Sequence, residues 1–189
     1  MNLVVVICHY KENLDWVKKL NHNYVIYNKN PNENHLYENN LPNIGFDTIV
    51  YLSYILDNYE NLPEYVCFSQ DNPFDHCPNF LDRVNNFDFN RNYYPLGSTY
   101  IRDNEMTYNQ TLNYAKSVDI VHSETIKFVS SAQCIVSKEL ILKRSKDSYL
   151  KIKNSIPEQV ITNTNYLIEY LWPTILNFND DLELSLYNC

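Results

Sequence analysis

Apolar and polar positions along residues 1–70 recur in a strand–helix–strand rhythm. Residues 3–8, Leu-Val-Val-Val-Ile-Cys, form an unbroken apolar run rich in β-branched side chains. Such a run predicts a strand buried on both faces, of the parallel kind. In 13–20 the apolar residues Leu14, Trp16, Val17 and Leu20 have helical spacing, with Asn13 as N-cap. Residues 24–27, Tyr-Val-Ile-Tyr, predict a second strand, and 30–42 a polar loop. Asn43 is then placed to cap a helix over 44–59, where Ile44, Tyr51, Leu52, Ile55 and Tyr59 share a face with Thr48, and Asp47 sits in the first turn. Leu62-Pro63 breaks the pattern and 65–69 predicts a central strand. The alternation predicts an α/β fold with a Rossmann-like, mostly parallel sheet flanked by helices.

Beyond residue 76 the periods are weaker. A short helix is expected over 79–84, an edge strand over 96–101, and a loop with a helical piece over 102–118. Short strands are expected over 119–122 and 127–129, and a stronger one over 132–136. Ser137 is placed to cap a helix reaching about 144, and 146–154 is a second helix. Over 164–177 the apolar positions 167, 168, 171, 172, 175 and 176 predict an amphipathic helix, bent or restarted at Pro173. With 189 residues and no internal repeat, one domain is the expectation.

Residues 65–76 concentrate the candidate chemistry. The apolar run Tyr65-Val66-Cys67-Phe68 opens into Gln70, Asp71, Asn72 and Pro73, and Asp75 and His76 follow. Ligands of open α/β sheets sit outside the carboxyl ends of the strands. Asp71, Asp75 and His76 are therefore candidate ligands of a hard metal ion and the phosphates it carries. The same residues are also ordinary turn chemistry, since Asp and Asn bond their own backbone and Pro fixes φ.

Composition narrows the function classes. The chain is 44% hydrophobic and 14% aromatic, which fits a packed core. Its net charge of −8, without a basic stretch, argues against a nucleic-acid partner. A mononucleotide stays open, because a metal ion can supply positive charge locally. The five cysteines are scattered without a C-x-x-C pair, which points to a reducing, cytoplasmic compartment. The amino-terminal apolar run lacks a basic flank and is too short for a signal peptide, and no run approaches the ~20 residues of a membrane span. No P-loop, G-x-G-x-x-G or G-x-S-x-G pattern occurs. A metal-dependent α/β hydrolase usually carries its nucleophile just after the first strand. Here His9-Tyr10-Lys11 supplies none beyond Cys8. Of the two glycines, Gly45 falls inside a predicted helix at a cost of about 1 kcal/mol, so close approach of a ligand is expected there.

A series of short pieces carries a resemblance. They are Val5, Ile7, Tyr10, Glu12, Leu14 and Trp16; Val25-Ile26-Tyr27-Asn28-Lys29; Asn43-Ile44-Gly45-Phe46-Asp47 with Tyr51-Leu52; Asn58-Tyr59 to Leu62-Pro63; Phe68, Gln70 and Pro73-Phe74-Asp75-His76; Ala132 to Ser137; and Leu171-Trp172-Pro173. In this order they resemble a glycosyltransferase-like family of the nucleotide-sugar type, long classed as a domain of unknown function. The likeness is nearest to chlorovirus and giant-virus sugar transferases that decorate capsid protein. The resemblance implies a GT-A fold with a nucleotide-binding half over about 1–76 and an acceptor-binding half over about 77–189. It implies a UDP-sugar donor, Mn²⁺ or Mg²⁺, and a glycan or glycoprotein acceptor such as a viral capsid or fibre glycan, in the host cytoplasm. On it, His9, Tyr10, Glu12, Asn28, Asn43, Gly45, Asp47, Gln70 and Asp71 meet the nucleotide. Asp71 holds the metal, with Asp75 or His76 in place of the second acid that the usual Asp-x-Asp motif has and this chain lacks. The metal would stabilise the departing diphosphate as a Lewis acid. An inverting transfer needs a carboxylate base. Glu169 is favoured over Glu158 and Glu124 (the latter beside His122), with Asp75 a further acidic candidate. Gln133 and Trp172 are candidates for the acceptor pocket. A non-catalytic nucleotide- or sugar-binding α/β module is the alternative to an enzyme.

Overall fold

The computed structural model describes residues 1–102, 105–121, 126–159 and 163–178. In chain order its elements are β1 (Leu3–His9), β2 (Asn23–Asn28), β3 (Asn39–Asn40), α1 (Thr48–Asn58), β4 (Tyr65–Gln70), α2 (Phe80–Asn85), β5 (Tyr93–Pro95), β6 (Thr99–Arg102), α3 (Glu105–Ser117), β7 (Ile126–Val129), β8 (Cys134–Ser137), α4 (Lys138–Leu142), α5 (Lys146–Asn154) and α6 (Asn163–Ile175). Six strands form a mixed sheet in the order β3-β2-β1-β4-β8-β5. β1 pairs in parallel with β2 on one side and β4 on the other. β8 runs antiparallel to both β4 and β5. β6 and β7 make a separate antiparallel pair.

Both faces of the sheet are covered, as the unbroken apolar runs require. Val6, Cys8, Val66 and Phe68 face α1, α5 and α6 in one core. Leu3, Val5, Ile7, Tyr65 and Cys67 face Trp16, Phe80 and Val84 in the other. The period-2 alternation of a strand thus feeds two separate cores. No helix among the described residues is long and apolar enough to cross a membrane. Cys8, Cys67, Cys77 and Cys134 are free and buried; Cys189 lies outside the described residues.

Several elements differ from the sequence expectation, each for a local reason. The helix expected over 13–20 is a 3₁₀ turn at Asp15–Lys19. Asn13 does not cap it but closes an Asx turn by accepting the Asp15 N–H at 2.6 Å. The helix expected to begin at 44 begins at Thr48, because Gly45 and Phe46 are left-handed at φ +63° and +47°. No strand forms over 119–121: Asp119 is left-handed, and the Ile120 N–H returns to Ala115 O at 2.8 Å to close α3. His122 lies outside the described residues. β8 starts at Cys134 because Ser131 and Ala132 are left-handed. α6 runs through Pro173 rather than restarting there. Ser137 caps α4 as expected, accepting the Leu140 N–H at 3.3 Å.

Candidate functional site

From β1 the chain crosses to β2 on one side, then returns to place β4 on the other. The gap beyond the carboxyl ends of β1 and β4 is therefore the topological switch point, where open α/β sheets bind ligands. A cavity of about 420 Å³ opens there. That lies within the roughly 300–1,000 Å³ of small-molecule pockets.

Two halves of the chain build its walls. Cys8 and Tyr10 come from β1 and its loop, Lys29 from the end of β2, and Asn43, Phe46, Asp47 and Thr48 from the turn into α1. Gln70, Asp71 and His76 follow β4. Opposite stand Ser130, Ser131 and Ala132 before β8, and Asn165 and Glu169, one turn apart on α6. The Glu169 carboxylate accepts the Ser131 N–H at 2.9 Å and so holds the left-handed Ser131-Ala132 turn against the cavity.

Asp71 is committed to the backbone. Its Oδ2 accepts the N–H groups of Tyr10 (2.9 Å), Lys11 (3.2 Å) and Glu12 (3.1 Å), and its Oδ1 accepts that of Asn72 (3.1 Å). His9 Nδ1 lies 3.4 Å from the same Oδ2. Three of these donors converge on Oδ2 and one on Oδ1. Asp75 is exposed and does not line the cavity, whereas His76 does. Among the described residues no three His, Cys, Asp or Glu side chains are grouped to hold a metal ion. Of the expected Asp71, Asp75 and His76 set, Asp71 and His76 line the cavity and Asp75 does not. Asp71 Oδ2 ties the end of β4 to the loop after β1.

Asp47 lines the crevice from the turn into α1. Its Oδ2 accepts Gln70 Nε2 at 2.7 Å. Burial raises its carboxyl above the ordinary range, opposed by the Gln70 hydrogen bond and the Lys29 charge. Burial, reinforced by Asp47, pushes the Cys8 thiol well above its ordinary value, so Cys8 stays a protonated thiol and not a nucleophile. Lys29 is buried, and its Nζ donates to Phe46 O at 2.5 Å.

Of the residues proposed from sequence, Tyr10, Asn43, Asp47, Gln70, Asp71, His76 and Glu169 meet at the cavity. His9, Glu12, Asn28, Gly45 and Glu158 do not line it. His9 is a buried strut, with Nε2 3.0 Å from Glu33 Oε2. Asn28 spends its amide on Asn30 O, Asn34 Oδ1 and Asn40 Oδ1, fastening the loop after β2. Gly45 is required by its positive φ and by packing, since a Cβ there would meet Ile156 Cγ2 at 2.8 Å. Glu12 and Glu158 are exposed; Glu124 lies outside the described residues. Gln133 is buried, accepting the Gln70 N–H and donating to Pro73 O and Leu96 O. Trp172 is a core anchor against Tyr51 and Phe68.

Sequence reasoning did not single out Lys29, Ser131 or Asn165. The signal for Lys29 was present: a lone lysine directly ends an apolar strand on the ligand side of the sheet. Ser131 and Asn165 had no comparable signal, because only tertiary packing brings them across.

A protein-family model described as "Protein of unknown function (DUF3431)" matches residues 4–85. The match covers β1 through α2, and so one wall of the crevice; Ser131, Asn165 and Glu169 lie beyond it. No curated protein and no solved structure matches the chain. By sequence, this α/β chain is similar over its amino-terminal part to a family whose function is unknown.

Proposed function

We propose that the chain is a glycosyltransferase of GT-A type that moves a sugar from a UDP-sugar to a glycan or protein-linked acceptor. The observation that carries the reading is the cavity at the switch point, which faces the Glu169 carboxylate across to the β1 and α1 loops. The resemblance of the amino-terminal pieces to nucleotide-sugar enzymes supports the same assignment of halves.

In this reading the nucleotide lies along Tyr10, Asn43, Asp47 and Gln70. The acceptor hydroxyl approaches from the Glu169 side. Its oxygen attacks the anomeric carbon, its proton passes to the Glu169 carboxylate, and the bond to the β-phosphate breaks with its electron pair leaving on UDP. The Ser131 N–H bonded to Glu169 fixes the orientation of that carboxylate. The protonated, buried Cys8 argues against a thiol hydrolase.

The test is UDP release from a panel of UDP-sugars, with and without added glycan acceptors. Acceptor-stimulated release that Glu169→Gln abolishes is expected. UDP binding without turnover of any donor would reassign the chain as a non-catalytic nucleotide-binding module.

A further inference from the structure

One wall of the crevice carries a positive charge of the chain's own, at Lys29. Lys29 is buried at 5% exposure, and it lines the cavity. Its Nζ donates to one carbonyl, Phe46 O. Among the described residues no carboxylate lies within 4.0 Å of it. A buried ammonium without an ion-pair partner is costly unless an anion completes it. The amino terminus of α1 reaches the same wall through Asp47 and Thr48. The side chain of Asp47, at the N-cap, makes no capping hydrogen bond there and is turned to Gln70 instead. The Val50 N–H is spent on Asp47 O at 3.0 Å, while the N–H groups of Thr48 and Ile49 precede the first intrahelical bond, and with the helix dipole they favour an anion.

Three acids, Asp47, Asp71 and Glu169, line the same crevice, and each is engaged by hydrogen bonds of its own. Asp71 is engaged by four backbone N–H groups. Glu169 accepts the Ser131 N–H on the opposite wall. Asp47 Oδ2 accepts Gln70 Nε2 at 2.7 Å, and burial raises its carboxyl above the ordinary range against the pull of that hydrogen bond and the Lys29 charge.

We infer that Lys29 and the amino terminus of α1 receive the diphosphate of the bound nucleotide, and that this binding does not depend on a divalent metal held by Asp71. The inference rests on the nucleotide-sugar reading and names how its donor is held. The ligand chemistry is a pyrophosphate group, whether carried on a nucleoside or free.

The experiment is calorimetric titration of the whole chain with UDP, uridine and inorganic pyrophosphate, first in EDTA and then in Mn²⁺. Wild type and Lys29→Met are compared, with thermal melting to establish that the variant folds. Met keeps the length of the stem and removes the charge. In EDTA, UDP is expected to bind at least about tenfold more tightly than uridine, the scale of one charge-assisted hydrogen bond. That advantage should collapse in Lys29→Met while uridine affinity holds. Pyrophosphate that competes with UDP would place the shared chemistry at the anion subsite. UDP binding that appears only with Mn²⁺ would overturn the inference and leave the nucleotide reading standing. Equal UDP preference in wild type and folded Lys29→Met would also overturn it. Absence of UDP binding under both conditions would overturn the inference and the nucleotide reading together. The wild-type comparison in EDTA decides the metal question even if the variant does not fold.

Discussion

Glu169 Oε1 accepts the backbone N–H of Ser131 at 2.9 Å, across 38 positions of sequence. The bond joins α6 to the turn before β8 and gives Glu169 both a structural and a proposed chemical duty. These separate by mutation. Gln keeps an acceptor oxygen for the Ser131 N–H but takes up no proton. Glu169→Gln is therefore expected to melt within a few degrees of wild type and to bind UDP unchanged, with transfer reduced by 10² or more, the scale of a lost general base. Glu169→Ala should lose the anchor too and show faster amide exchange at Ser131. Full transfer activity in Glu169→Gln moves the base elsewhere.

Asp71 is predicted to be a fastener of the loop after β1. Asp71→Ala removes the acceptor for the N–H groups of Tyr10, Lys11 and Glu12. A loss of about 2–3 kcal/mol is expected in urea unfolding. Amide exchange should quicken at residues 10–12 ahead of the rest of β1. Wild-type stability and exchange in Asp71→Ala would remove it from this role.

Gly45→Ala is expected to destabilise by about 2–4 kcal/mol, combining left-handed backbone strain with overpacking. The added Cβ meets Ile156 Cγ2 at 2.8 Å with φ at +63°. A second change, Ile156→Val, should leave the backbone strain and relieve part of the packing loss. Denaturant unfolding of the single and double variants measures both parts.

Asp47 makes stability depend on pH in a definite direction. Its folded carboxyl is raised, chiefly by burial, so the folded state holds this proton more tightly than the unfolded chain. That contribution is fully present below the ordinary carboxylate value of 3.8 and is lost as pH rises through the raised folded value. Asp47→Asn should therefore be more stable relative to wild type at neutral pH than at pH 3, while its amide oxygen still accepts Gln70. Urea unfolding across pH 3 to 8 would show the difference curve; a flat difference contradicts the assignment.

The framework was legible where side-chain period alone decides structure. The apolar runs ending at Cys8 and Phe68 announced strands buried on both faces, and Ser137 caps α4 as its hydroxyl predicts. The crevice was legible in outline, because residues after parallel strands converge at a switch point whatever their identity. What was not legible is how each polar group is spent. Asp71 reads from sequence as a metal ligand, but its partners are the backbone of residues 10–12, about sixty positions away. Gly45 reads as room for a ligand, but the space is taken by Ile156, just past the end of α5. Left-handed Ser131 and Ala132 carry no local signature, since only Gly and Asn advertise that conformation.

The central claim is that the crevice beyond β1 and β4 takes a nucleoside diphosphate. Hydrogen–deuterium exchange of the chain with and without saturating UDP tests it most directly. Slowed exchange is predicted in residues 8–12, 43–50, 70–76 and 130–132, with the edge of the sheet at β5 unchanged. No protection anywhere, or protection confined to surfaces away from these segments, would contradict it.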